Sequence, residues 1–189
     1  MKRRMHRAFV IMLAAVGLWQ LGSGAYIHAK AWLAQQLIAA SWAKTLDGER
    51  EVRPWPWADT WPVARLRLPA SNADLFVLAD ASGRSLAFGP GFLNGSATPG
   101  TAGNTIIAAH RDTHFKFLRD APLGAEVTLQ DLSGDSQRYR IVGSHVIDVR
   151  HERLALDADV PTLSLVTCYP FDAVVPGGPL RYVVVAERI

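Results

Sequence analysis

Three residues of this chain have side chains and positions that suit acyl transfer at a thiol. Cys168 is the single cysteine among 189 residues; it follows the apolar run SLVT and precedes a proline at position 170, which must interrupt strand pairing. It therefore lies at the end of a predicted buried strand, where a nucleophile emerges on a rigid support. Burial as an inert core thiol is the alternative, because free cysteines are among the most buried residue types.

His110 has the same kind of position as the cysteine. The apolar run TIIAA ends at His110, and polar residues follow it. Since the thiolate is the nucleophile and a neighbouring protonated histidine favours that form, a His beside a Cys predicts an activated thiol. A strand-end histidine that only hydrogen-bonds to the backbone would have the same local sequence.

Arg181 opens a third apolar run, RYVVVA, directly after the turn segment GGPL. Attack of a thiolate on a carbonyl group creates an oxyanion, which a fixed donor or cation stabilises. The guanidinium group is always charged and carries its N–H donors in a rigid fork. Taken alone, Arg181 is equally well interpreted as an exposed residue at the start of a strand.

The region that must position these residues has the pattern of a β-protein. From Val63 onward, short runs rich in β-branched and aliphatic residues alternate with segments rich in Gly, Pro, Asn and Ser. The predicted strands are VARLRL, LFVLAD, SLAF, TIIAA, EVTLQD, RYRIVGSHVIDV, TLSLVT and RYVVVA. About eight short strands without helical patterns between them predict a closed barrel or a sandwich.

The N-terminal segment predicts export of this domain and a membrane anchor. Ala8 to Ile27 is a run of 20 residues without a charge, which as a helix spans a hydrocarbon core of roughly 30 Å. Four basic residues within the first seven favour a cytoplasmic N-terminus. A cleavable signal peptide ending near the AKA triplet at 29–31 is the competing interpretation.

The distribution of charge argues against a nucleic-acid partner. Removing those four basic charges from the formal net charge of +3 leaves −1 for residues 8–189. A nucleic-acid-binding protein would carry its basic excess on the folded domain. No nucleic-acid partner is therefore predicted.

Composition predicts three segments along the chain. Residues 28–44 contain no Gly or Pro and predict a helical stalk, while Thr45–Pro62 predicts a linker rich in Pro and Trp. The predicted organisation is a cytoplasmic basic tip and transmembrane anchor over 1–27, a stalk and linker over 28–60, and a catalytic domain over 61–189.

Together, these motifs resemble the sortase family of cysteine transpeptidases. Residues 164–168, SLVTC, resemble the sortase signature T-L-x-T-C with Ser for the first Thr, and residues 109–112, AHRD, resemble the segment around the family's histidine. Arg181 stands 13 residues after Cys168, as the family's arginine does. The resemblance covers roughly Trp61 to Ala186. The segments FGPGFLNGSATPGTAGN and PWPWADTWPVARLRLP are most similar to the compact sortases of Gram-negative proteobacteria.

The resemblance implies an all-β fold: an eight-stranded sortase-type β-barrel preceded by an N-terminal transmembrane helix. It implies that Cys168 attacks an LPXTG-like sorting motif and that an amine acceptor resolves the thioacyl intermediate. His110 would then act as acid and base, and Arg181 would bind the oxyanion or the substrate backbone. Residues 148–161 and 169–179 would form the walls of the substrate groove. The partner would be a surface protein that carries a sorting signal. The catalytic domain would lie in the periplasm, anchored to the inner membrane.

Asp112, Thr167 and Tyr169 are predicted to bind substrate or support the site. Asp112 would orient His110 if the strand continues, because residues i and i+2 then point the same way. The amine acceptor, the exact motif and the oligomeric state stay open.

Three further histidines show no metal-ligand spacing with acids or with each other, so neither a metal nor another cofactor is predicted; they are His114, His145 and His151. Two rival functions remain open. One is a thiol endopeptidase that uses water as the acceptor, and the other is a non-catalytic, membrane-tethered binding barrel with Cys168 buried.

Overall fold

The computed structural model describes residues 2–99, 101–175 and 177–189. Three predicted features each include one residue outside this part of the chain: the basic tip (Met1), the FGPGFLNGSATPGTAGN turn (Gly100) and the second groove wall (Pro176). The chain divides into two compact units, Met1–Gln36 and Leu37–Ile189. The predicted boundaries at 27 and 60 stay predictions.

One helix, α1 (Lys2–Leu46, 45 residues), forms the N-terminal part of the chain. Large apolar side chains such as Phe9, Trp19 and Ile27 are exposed along it. Of the helices in the described residues, α1 alone is long and apolar enough to cross a membrane, by length and composition. A lipid-spanning helix needs both properties, because it must cross a hydrocarbon core of roughly 30 Å with apolar side chains. A signal sequence near an N-terminus shares them, so retention of this segment stays a prediction.

Eight strands follow α1 within the described residues. They are β1 (Pro62–Leu68), β2 (Ala73–Leu78), β3 (Gly91–Phe92), β4 (Asn104–Ala108), β5 (Glu126–Gln130), β6 (Ser136–Asp148), β7 (Thr162–Cys168) and β8 (Leu180–Arg188). They close into a barrel in the order β1-β2-β3-β4-β7-β8-β6-β5. The predicted eight-stranded barrel preceded by an apolar helix is confirmed.

One predicted strand is wrong. The run SLAF at 85–88 contains a 3-10 turn, Ser85–Ala87, instead of a strand. The Asp80 carboxylate accepts hydrogen bonds from the Ser82 backbone N–H at 2.7 Å and from the Ser85 hydroxyl at 2.7 Å. Such local side-chain bonds favour a turn over a ladder.

The strand in this region is β3, which starts at Gly91. A Cβ added at Gly91 would overlap the carbonyl oxygen of Asp80, so only glycine allows this close approach of two backbones. β3 pairs with β4 through Gly91 opposite Ala108 and Phe92 opposite Ile107. The sequence signal for β3 is weak because the strand has two residues.

The strands β4, β7 and β8 are buried on both faces. Leu165 and Val184 point into the main core with Ile107. Val166 and Val183 point the other way, into a second cluster. This double burial explains why the sequence of β7 is a continuous apolar run, as expected for a strand covered on both sides.

The C-terminal end of α1 belongs to the same unit as the barrel. Ile38 is 1% exposed and Trp42 is 3% exposed. The Trp42 ring contacts Phe76 of β2 with centroids 6.3 Å apart. Residues 37–44 of the predicted stalk and residues 45–46 of the predicted linker are therefore helical and belong to the unit that contains the barrel.

We expect Trp42→Ala to lower the free energy of unfolding of the full chain in detergent micelles by about 3–5 kcal/mol, the usual loss for a buried aromatic ring. Denaturant titration followed by circular dichroism would measure the change. The matched control is Trp57→Ala: Trp57 is 79% exposed and should change stability by less than about 0.5 kcal/mol. Equal losses in the two variants would show that Trp42 does not pack on the barrel.

Candidate active site

The register of three neighbouring strands relates the predicted residues to one another. Cys168, the last residue of β7, pairs directly with Arg181 of β8. β4 runs parallel to β7 with Ala108 opposite Val166, and the Ala109 N–H continues this ladder to the Val166 carbonyl at 3.1 Å. Extended by two residues, this register would set His110 beside Cys168 and complete a row of three residues, although His110 itself lies beyond the end of β4 at Ala108. Adjacent strands lie about 4.8 Å apart.

The alternation of side chains puts Cys168 and Arg181 on one face of their strands. Val166 and Val183 lie in the second hydrophobic cluster, outside the main core. Cys168 and Arg181 follow and precede them by two positions, so their side chains share that face. Ala108, the last residue of β4, packs against the same cluster, and His110 follows it by two positions. The row therefore lies at the strand ends, at the edge of an apolar surface.

Exposure suits a thiol that a substrate must reach. Cys168 and Arg181 are half-buried, and His110 is exposed. Arg181 donates from Nη1 to the carbonyl oxygens of Gly178 at 2.7 Å and Leu180 at 2.9 Å. A guanidinium carries further N–H donors on Nε and Nη2. Arg181 can therefore donate to another group while its Nη1 bonds to its own loop.

Thr167 fastens the strand of the cysteine to the strand of the histidine. Its side chain is 2% exposed, and its hydroxyl donates a 2.7 Å hydrogen bond to the carbonyl of Ala109, the residue before His110. Because Thr167 points to the face opposite Cys168, it supports the row from behind.

Tyr169 belongs to a group of three aromatic rings on the core side of the strand end. Its ring stacks on Tyr182 at 6.2 Å and meets Phe171 edge-on at 6.4 Å. The three rings line a cavity of about 330 Å³ together with Arg119, Pro170 and Asp172. None of the three row residues lines this cavity. The strand register puts Cys168 and Arg181 on the opposite face, which carries the second hydrophobic cluster.

Asp112 contacts Arg111, which is not one of the three row residues. The Arg111 Nε lies 3.4 Å from the Asp112 carboxylate, whose side chain is 73% exposed. The proposed orientation of His110 by Asp112 stays a prediction. Arg111 itself is 6% exposed and donates to two carbonyls after Cys168, those of Pro170 and Ala173. Sequence reasoning missed Arg111, because no local pattern indicates that an arginine in a polar segment is buried.

The charge of His110 affects the pKa of the nearby His114. Burial, and next the positive charge of protonated His110, lower the pKa of His114 below its ordinary value. The Thr113 hydroxyl lies 3.3 Å from its Nδ1. His114 therefore favours the neutral form in the folded protein.

The segment 148–161, predicted as a groove wall, is fastened beside β4. Asn104 donates from its side chain to the Ala155 carbonyl at 2.7 Å and from its backbone to the Leu156 carbonyl at 3.1 Å. Leu154 packs against the second cluster. At the start of the segment, hydrogen bonds from Arg150 lower the pKa of the Asp148 carboxyl to about 2. Tertiary bonds therefore hold this segment on the face that carries the row.

Comparison with known proteins identifies the same region. Residues 66–189 match the family model described as the sortase domain. Sortase D of Bacillus subtilis (strain 168) is 30% identical over 125 residues, which cover 66% of this chain and 62% of that protein. The chain therefore spans less than two thirds of the length of this curated relative.

Solved structures have the same fold. Sortase A from Corynebacterium diphtheriae superposes with a TM-score of 0.63 at 24% identity, covering 76% of this chain and 67% of that one. A Clostridium perfringens Sortase D5 transpeptidase superposes with a TM-score of 0.61 at 22% identity, covering 80% and 88% respectively. At these identities the likeness establishes the barrel fold.

We expect Thr167→Val to lower the free energy of unfolding by about 1–3 kcal/mol, because it leaves the buried Ala109 carbonyl without its donor. Denaturant titration of the full chain in micelles would measure the loss. Thr162→Val is the matched control. Thr162 makes an exposed bond of the same type to the Val160 carbonyl, and we expect a change below about 0.5 kcal/mol. A neutral Thr167→Val would contradict the buried bond.

We expect His114→Gln to flatten the acid limb of the stability curve. Since the pKa of His114 is lower in the folded than in the unfolded chain, the unfolded chain binds more protons below about pH 6.5. The stability present above that pH is therefore lost as the pH falls through the folded pKa. Unfolding titrations from neutral pH down to about pH 5 would compare the two slopes; identical slopes would contradict this assignment.

Proposed function

The chain belongs to the sortase family, and on that premise we propose that it is a membrane-anchored cysteine transpeptidase. The observation that carries the proposal is the pairing of Cys168 with Arg181 across β7 and β8, beside the strand β4 that leads into His110. An activated thiol with an adjacent acid and base is the arrangement that covalent acyl transfer requires. A guanidinium on the other side of the thiol supplies the positive charge for the oxyanion.

In the first half-reaction, His110 takes the proton of the Cys168 thiol, and the resulting thiolate attacks a backbone carbonyl carbon within a sorting motif of the LPXTG type. A C–S bond forms, and the peptide C–N bond breaks as His110 gives a proton to the leaving amine. The products are a thioacyl-enzyme and the released C-terminal part of the substrate.

In the second half-reaction, an amine acceptor gives a proton to His110 and attacks the thioester carbonyl. A C–N bond forms, the C–S bond breaks and Cys168 is regenerated. Water in place of the amine gives hydrolysis, so the thiol endopeptidase is the same enzyme with a different acceptor.

Arg181 would stabilise the oxyanion that each attack creates. It lies directly opposite Cys168 in the β7–β8 pairing, and the carbonyls of Gly178 and Leu180 hold its Nη1. A donor fixed before the reaction costs no reorganisation when negative charge develops. Thr167 would support this geometry through its bond to Ala109.

The segments 148–161 and 169–179 would form the two walls of the groove for an extended sorting signal. The first wall is supported by the bonds of Asn104, and the second contains Tyr169. The partner that this groove would bind is a surface protein with such a signal.

The helix α1 would be the anchor that holds the domain at its membrane. Its apolar stretch and the basic residues before it support an N-terminus in the cytoplasm and a catalytic domain on the outer side. The similarity of two segments to compact proteobacterial sortases points to the inner membrane and the periplasm.

The test is intact-mass analysis of the full chain in micelles, incubated with a panel of LPXTG-like peptides. We expect an adduct equal to the mass of the acyl fragment in wild type and none in Cys168→Ala, because a thioester requires the thiol. Adding an amine acceptor should replace the adduct by a ligated peptide.

Two results would count against this proposal. Adduct formation that survives in Cys168→Ala would exclude the cysteine as nucleophile, and no adduct with any peptide would favour the binding barrel. If only hydrolysed peptide appears in the presence of amine, the protein is the thiol endopeptidase. Cys168 in the folded wild type should also react with a mild alkylating reagent, which a buried core thiol would resist.

A further inference from the structure

Arg111 is a charged residue in an almost fully buried position next to the candidate histidine. Its side chain is 6% exposed. Burying a guanidinium is costly unless hydrogen bonds and a counter-charge compensate for the lost water. The Asp112 carboxylate, the counter-charge that approaches it, is 3.4 Å away and itself 73% exposed. A weak ion pair of this kind does not account for the burial of Arg111.

The strong contacts of Arg111 are two backbone carbonyls in the loop after Cys168. Its Nη1 donates to the Pro170 oxygen at 2.7 Å, and its Nη2 donates to the Ala173 oxygen at 2.7 Å. The Ala173 N–H also bonds to the Pro170 carbonyl at 3.3 Å. The fork therefore holds both ends of one turn of the β7–β8 loop.

Two side-chain hydrogen bonds join the chain segments that carry the candidate dyad, His110 and Cys168. On one side, Thr167, the residue before Cys168, bonds to Ala109, the residue before His110. On the other side, Arg111, the residue after His110, bonds to the carbonyl two residues after Cys168. His110 and Cys168 are thus each flanked by a bonded link between the same two chain segments.

We propose that Arg111 is a positioning residue that holds His110 and Cys168 at a working distance by fastening the β7–β8 loop to the strand end of the histidine. The inference rests on the proposed role of these two residues as a catalytic dyad. Among the described residues, the last backbone bond of the β4–β7 ladder comes from the Ala109 N–H, so the Arg111 link restrains the chain directly after His110. A lysine presents one nitrogen in place of the fork and cannot reproduce both bonds in the same geometry.

The test is a double-mutant cycle on the alkylation rate of Cys168 by iodoacetamide, measured by intact mass on the full chain in micelles. Cys168 is the single cysteine, so the reaction reports one site. The four proteins are wild type, His110→Gln, Arg111→Lys and the double variant. Arg181, the residue paired with Cys168 in the β7–β8 register, is unchanged throughout.

A positioning role predicts coupling between the two substitutions. We expect His110→Gln to slow alkylation about tenfold, because it removes the group that favours the thiolate. Arg111→Lys should slow the reaction about tenfold when His110 is present and less than about twofold when it is absent, a coupling typical of residues in one network. Arg84→Lys, at an arginine that is 86% exposed, should leave the rate unchanged.

Several outcomes would overturn the inference. Equal slowing by Arg111→Lys in both backgrounds would indicate altered access to the thiol, and no slowing in either would indicate no role. If His110→Gln did not change the alkylation rate, His110 would not activate the thiol, and Arg111 could not act by positioning it. Unfolding of both Arg111→Lys and Arg111→Gln would make Arg111 a structural residue. The cycle needs no peptide, so failure of wild type to form a peptide adduct would count against the proposed function alone.

Discussion

The pairing of β4 with β7 and of β7 with β8 is the constraint on which the rest of the candidate site depends. These three strands come from separate parts of the chain, and their register decides which residues become neighbours at the strand ends. Because side chains alternate with a period of two, a slip of one residue in β7 would turn Cys168 to the opposite face. The double burial of β7 opposes such a slip, since Leu165 and Val166 each fill a different cluster.

The end of this sheet is held by side chains where the ladder stops. Thr167 and Arg111 are both buried, and each donates to backbone carbonyls of a segment about 60 positions away. Buried hydrogen bonds to carbonyls are directional, so they restrain the position of a loop in a way that apolar contacts do not. The reacting groups themselves stay partly exposed, which leaves them accessible to a substrate.

The two faces of the strand end carry different groups of side chains. The core face of the strand end carries Tyr169 and Tyr182, whose rings stack and line a cavity. The other face carries the thiol and the guanidinium above the second cluster. This arrangement gives Cys168, the proposed nucleophile, a rigid base on one side and an open approach on the other, which is how preorganised sites are built.

The sequence by itself determined seven of the eight strands in the described residues, and it predicted the groups that are proposed to react. Apolar runs that end in Cys168 and His110, an arginine that opens another run, and an uncharged N-terminal stretch are local patterns, and local patterns predict local structure. Only the tertiary structure decided the register that makes Arg181 the partner of Cys168, the burial of Arg111 and the two-residue strand at Gly91. Each of these depends on contacts between residues distant in the chain, which no local pattern encodes.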